Sequence, residues 1–86
     1  MEELEQFRNQ VDEVDELILK TLNKRAEICV AIGEIKKKNG MPVKDISREN
    51  EVYNRAKQKA VEFHLDPMQV EAVFREIVNM CSAVQE

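Results

Sequence analysis

Apolar residues recur along the first 35 positions of the chain at Leu4, Phe7, Val11, Val14, Ile18, Ile28, Ile32 and Ile35, in steps of three and four or their multiples. That spacing puts them on one heptad-like stripe of an α-helix. No proline interrupts the run before Pro42, and only Gly33 weakens it. The pattern predicts one helix from about Glu3 to about Lys38. Lys36, Lys37 and Lys38 suit the negative end of a helix dipole, and Asn39-Gly40 can terminate it. Met41 precedes a proline and should be extended, so 41–46 reads as an ordered loop. Asp45 or Ser47 can cap a second helix running to about Phe63, with Val52, Ala56, Ala60 and Phe63 on one face. His64-Leu65 breaks it. Asp66-Pro67-Met68-Gln69 then opens a third helix, with Asp66 as N-cap and Pro67 in the first turn. That helix carries Val70, Val73, Phe74, Ile77, Val78, Cys81 and Val84. The expected fold is all-α, with one very long N-terminal helix and two shorter ones, in a single domain spanning 1–86.

The first helix is too long for its chain. Roughly 36 residues make a rod of ~54 Å, whereas a compact chain of this size is only ~31 Å across. An 86-residue chain is also marginal as a lone monomer, and oligomerisation is a usual remedy. A second copy lying antiparallel along the stripe is the economical way to cover it.

Composition narrows the classes. Two glycines and two prolines are too few for an all-β fold. Cys29 and Cys81 are too few for a disulfide framework and read as small core residues with reduced thiols. One histidine, His64, argues against a dedicated zinc site. There is no basic-then-apolar leader pattern and no apolar run near ~20 residues, so the expectation is a soluble, cytoplasmic protein with no membrane partner. Net charge is −4, but its distribution says more: −5 over 1–35, +5 over 36–59 and −4 over 60–86. Acidic flanks repel phosphate, so a nucleic-acid partner is not expected, while a small anion can be attracted to the middle.

A few residues break the structural pattern. Thr21 and Arg25 stand where the stripe calls for apolar side chains. Lys36 follows Arg25 by eleven residues, which returns it to within about 20° of the same face, ~16 Å along the axis. A polar position can set coiled-coil register; a pair of aligned cations can also receive an anion. Arg8 lies seventeen residues before Arg25, or ~26 Å on a straight helix. It cannot share a small site with Arg25 of its own chain, but an antiparallel partner can bring it there. Asp45-Ile46-Ser47-Arg48-Glu49 places carboxylates and a guanidinium at a helix N-terminus. Gln85 falls one turn after Cys81. No nucleophile motif or phosphate-binding glycine loop is present.

Taken together, Arg8, Asp12, Asp15, Arg25, Gly33, Lys36, Pro42-Val43-Lys44-Asp45, Arg48-Glu49 and Gln85 resemble the all-α, AroQ-class chorismate mutases over nearly the whole chain. The resemblance implies an intertwined homodimer of three-helix protomers, acting on chorismate in the route to phenylalanine and tyrosine without a cofactor or metal. It implies that Arg8 crosses from the partner chain into a site holding Arg25, Lys36, Asp45, Arg48, Glu49 and Gln85. Arg8 and Arg25 are then expected to clamp the substrate carboxylates. Lys36 and Gln85 donate to its ether oxygen, and Asp45 and Glu49 take its hydroxyl. The chain departs from the pattern at Cys81, where the family often has a small hydroxyl residue, so a weak thiol donor is expected to face substrate. Two rivals share these features: an isochorismate pyruvate-lyase, and a non-enzymatic helical dimerisation module.

Overall fold

The computed structural model describes residues 1–86 as three helices: α1 (Glu2–Lys38), α2 (Ile46–Glu62) and α3 (Pro67–Gln85). The molecule measures 57 × 24 × 15 Å, with a radius of gyration of 16.2 Å. A compact chain of this length would have a radius of gyration near ~12 Å. The long dimension is α1 itself, which extends as one rod well past the other two helices.

Each helix end is fixed by local chemistry. Asp45, not Ser47, caps α2, its carboxylate accepting from the Arg48 amide at 3.0 Å. Asp66 caps α3, accepting from the Met68 amide at 2.9 Å. The C-termini of α1 and α2 close in the same way. Met41 N–H donates back to Lys36 and Gly40 N–H to Lys37; Leu65 N–H donates back to Ala60 and His64 N–H to Val61. Both are Schellman motifs, which require a left-handed residue just beyond the helix. Gly40 supplies it at φ 65° and His64 at φ 60°. His64 is thus a turn residue, as expected, although it bears a side chain where glycine is preferred.

α3 packs against both α1 and α2, whereas α1 and α2 do not pack on each other. The core is accordingly small: Cys29, Gly33, Tyr53, Ala56, Ala60 and Val78 are buried. Val52, Ala56, Ala60 and Phe63 share one face of α2, as expected, and line one hollow, with Phe63 68% exposed. Tyr53 is the large side chain of α2 that is buried. Tyr53 lies beneath Arg75, whose guanidinium carbon is 4.3 Å from the ring centre. Arg75 in turn pairs with Glu71 at 2.8 Å, and Lys57 of α2 reaches the same carboxylate at 3.0 Å. The α1 stripe is uncovered along its length: Leu4, Phe7, Val11, Val14, Ile18, Ile28, Ile32 and Ile35 are between 39% and 63% exposed. No helix is long and apolar enough to cross a membrane.

The cysteines overturn one expectation. Cys29 and Cys81 are not free core thiols but form a disulfide joining α1 to α3, with their Cα atoms 5.4 Å apart. The reason is register. α1 and α3 run in the same sense, and the pairs Cys29/Cys81 and Gly33/Gln85 lie one turn apart on both helices. At the second pair a Cβ on Gly33 would sit 2.9 Å from the Gln85 Cα, so only glycine permits the approach that also brings the sulfurs together.

Candidate active site

Because α3 separates α1 from α2 below while the loop 39–45 joins them above, a cavity of about 410 Å³ remains between the two. Its polar lining is Arg25 and Lys36 from α1, Asp45, Arg48 and Glu49 from the start of α2, and Ser82 and Gln85 from the end of α3. Ile28, Ile32, Val43, Val52 and Val78 form its apolar walls. The volume falls within the range of small-molecule sites. Three cations face two carboxylates, a formal surplus of one positive charge in a half-enclosed space.

Lys36 is the best-anchored group. Its ammonium donates to the Val43 carbonyl at 2.6 Å and to Gln85 Oε1 at 2.9 Å, which leaves one N–H free. Its own carbonyl is held in the Schellman turn, so backbone and side chain are both fixed. The Gln85 amide is held at two points, accepting from Lys36 and donating through Nε2 to Cys81 Sγ at 3.1 Å. Its second amide hydrogen remains. Arg25 is half-buried with no carboxylate partner; its nearest polar neighbour is Cys29 Sγ, 3.8 Å from Nη1. Asp45 spends one oxygen on its capping bond. Arg48 pairs with Glu51 at 3.2 Å, with both side chains exposed at the rim. Thr21, the other break in the stripe, bonds back to the Leu17 carbonyl of its own helix at 2.8 Å and takes no part.

Thus Arg25, Lys36, Asp45, Arg48, Glu49, Cys81 and Gln85 are brought together within one protomer. Arg8 is not among them. It lies on the exposed part of α1 beside Glu5, 3.4 Å away. Cys81 lines the cavity, but as half of a disulfide it has no S–H, so the expected thiol donor is corrected to an acceptor. A family model described as chorismate mutase type II matches residues 7–86.

The chain belongs to the chorismate mutase type II family. It is 35% identical to the bifunctional chorismate mutase/prephenate dehydratase of Aquifex aeolicus over its whole length, but spans only 25% of that protein. It is 29% identical to the chorismate mutase of Methanocaldococcus jannaschii, covering all of this chain and 87% of that one. Among solved structures it is similar to a conserved hypothetical protein from Pyrococcus furiosus, with a TM-score of 0.75 and 34% identity over 96% of this chain and 95% of that one. The chain is therefore an all-α chorismate mutase type II domain with the long N-terminal helix that the periodicity predicts.

Sequence reasoning missed three parts of this cavity. Ser82 lines it beside Cys81, although its position about 100° round the helix argues against that. The Val43 carbonyl, as a backbone group, leaves no residue-type signal. Ile28, Ile32 and Val52 carry only a packing signal in the sequence, yet they fall three, seven and four residues from Arg25, Arg25 and Arg48 and so share their faces.

Proposed function

We propose that this domain converts chorismate to prephenate by an intramolecular, Claisen-type rearrangement, in a site completed by a second copy of the chain. The observation that carries this reading is the convergence of Arg25, Lys36, Asp45, Arg48, Glu49 and Gln85 on one cavity of substrate size. The reaction needs no proton transfer and no nucleophile. It needs a flexible dianion held in its compact reactive conformer and donors aimed at the ether oxygen, where negative charge grows as the C–O bond breaks. Arg25 and the partner's Arg8 clamp the carboxylates. The free hydrogens of Lys36 and Gln85 meet the ether oxygen. Glu49 and the second oxygen of Asp45 accept from the ring hydroxyl, and Arg48 balances charge at the rim.

The dimer is part of the same proposal. A second hollow of about 440 Å³, walled by Ala60, Phe63, Leu65, Val70 and Phe74, adjoins the cavity and shares Arg25, Arg48 and Val52 with it. The uncovered N-terminal stripe of a partner's α1 supplies apolar side chains for it, and Arg8 lies on that segment. Delivery of Arg8 brings the surplus in the cavity to two positive charges, matching a dianion.

The test offers purified protein chorismate and isochorismate separately and identifies the products. Prephenate from chorismate is expected. Pyruvate from isochorismate alone makes the domain a lyase instead, and no product from either leaves a helical interaction module.

A further inference from the structure

Gln85 is asked to aim a hydrogen-bond donor from the last turn of α3, where helices fray because their final carbonyls lack partners. Something must hold it. Packing does so only in part: Cys81, Ser82 and Gln85 are half-buried and Val84 is 42% exposed. Two features concentrate on this turn. The Cys29–Cys81 disulfide ties it covalently to α1. One turn further, Gln85 lies against Gly33 so closely that its backbone would meet a Cβ there. The Gln85 amide then bridges the two anchors, donating to Cys81 Sγ at 3.1 Å and accepting from Lys36 at 2.9 Å. Cys29 and Cys81 also line the cavity without a role in the chemistry.

We propose that Cys29 and Cys81 are positioning residues: their disulfide fixes the end of α3 so that Gln85 is preorganised beside Lys36, and its reduction by a dithiol lowers turnover. This rests on the mutase reading of the site. In the reduction, one thiolate of the dithiol attacks a protein sulfur and the S–S bond breaks to a mixed disulfide. The second thiolate then displaces the protein sulfur. Two electrons and two protons end on Cys29 and Cys81 as thiols, and the reductant leaves as its cyclic disulfide. The reduced Cys81 keeps its place in sequence but no longer holds α3 to α1.

The experiment measures kcat and KM for prephenate formation on oxidised protein, on dithiothreitol-reduced protein, and on Cys29→Ala, each in wild-type and Gln85→Ala backgrounds. Titration of thiols and circular dichroism confirm redox state and folding. In the Gln85-containing background, reduction or Cys29→Ala should lower kcat about tenfold, the scale of one lost hydrogen bond to developing charge, with KM changing less. Re-oxidation should restore the wild type and not Cys29→Ala. In Gln85→Ala, reduction should cost almost nothing further, because the group it positions is gone. An equal loss in both backgrounds makes the disulfide a general staple and overturns the proposal, as does unchanged kcat on reduction. Two free thiols in air-oxidised protein overturn it as well. A second readout stands apart from activity. The Gln85 side-chain amide should give a distinct, exchange-protected NMR signal when oxidised and an averaged one when reduced. Absence of prephenate with that signal change sinks the mutase reading but keeps the positioning of Gln85; prephenate without it does the reverse.

Discussion

At the scale of single residues, the site is made by side chains that local structure does not want. Arg25 is a half-buried guanidinium with a sulfur at 3.8 Å and no carboxylate, in the middle of an otherwise apolar stripe. Removing such a charge in favour of an apolar group of similar volume is often stabilising, and sites commonly trade stability for activity. Arg25→Leu should therefore raise the unfolding free energy by about 1 kcal/mol in chemical denaturation while abolishing prephenate formation. A variant that is both less stable and still active would contradict this. His64 presents the opposite case, a local cost with no role in the site. Its φ of 60° crowds a Cβ that glycine lacks. His64→Gly should stabilise the fold by about 1 kcal/mol, read as a higher urea midpoint at unchanged slope, with kcat and KM unaltered.

At the scale of elements, α2 is secured to α3 by one polar cluster as well as by apolar contact. Glu71 receives Lys57 from α2 at 3.0 Å and Arg75 from its own helix at 2.8 Å, while Arg75 covers Tyr53. The hydrogen bond from Lys57, and after it that from Arg75, holds the Glu71 carboxyl below its ordinary value of 4.5. A folded-state value below the unfolded one means the unfolded chain binds the proton more readily. The stabilisation is then fully present above pH about 4.5 and is lost as pH falls through the lowered folded value. Thermal melts of wild type and Glu71→Gln should differ by a constant amount between neutral pH and about pH 5 and converge in more acidic buffer. A gap that widens on acidification would rule out this assignment.

At the scale of the whole molecule, α1 outruns the protomer. Its apolar stripe is exposed, Arg8 lies near its start, and an apolar hollow adjoins the cavity. If the two sites of a dimer each take Arg8 from the other chain, then Arg8→Ala and Arg25→Ala proteins, each inactive, should complement on mixing. A mixed dimer has one site carrying both substitutions and one carrying neither. Random exchange places about half of all chains in mixed dimers, so about a quarter of wild-type activity should return. No recovery after demonstrated subunit exchange would place Arg8 outside the partner's site.

Helix number and helix ends were legible in the sequence, because periodicity, caps and dipole-matched charge act within a few residues. Arg25 and Lys36 could be assigned one face from helical geometry alone, and the family resemblance added Asp45, Arg48, Glu49 and Gln85. Tertiary structure decided what depends on the register between helices. The offset that sets Gly33 against Gln85 also sets Cys29 against Cys81, one turn away on both helices; neither pairing has a signature in a sequence with only two cysteines. Likewise the anchoring of Lys36 by the Val43 carbonyl is a backbone contact across a turn, which no residue type announces. Which side chains share a face is legible in the chain, since that follows from the pitch of a helix. How close the faces come emerges only when the helices pack, because close approach depends on the absence of a single Cβ at Gly33.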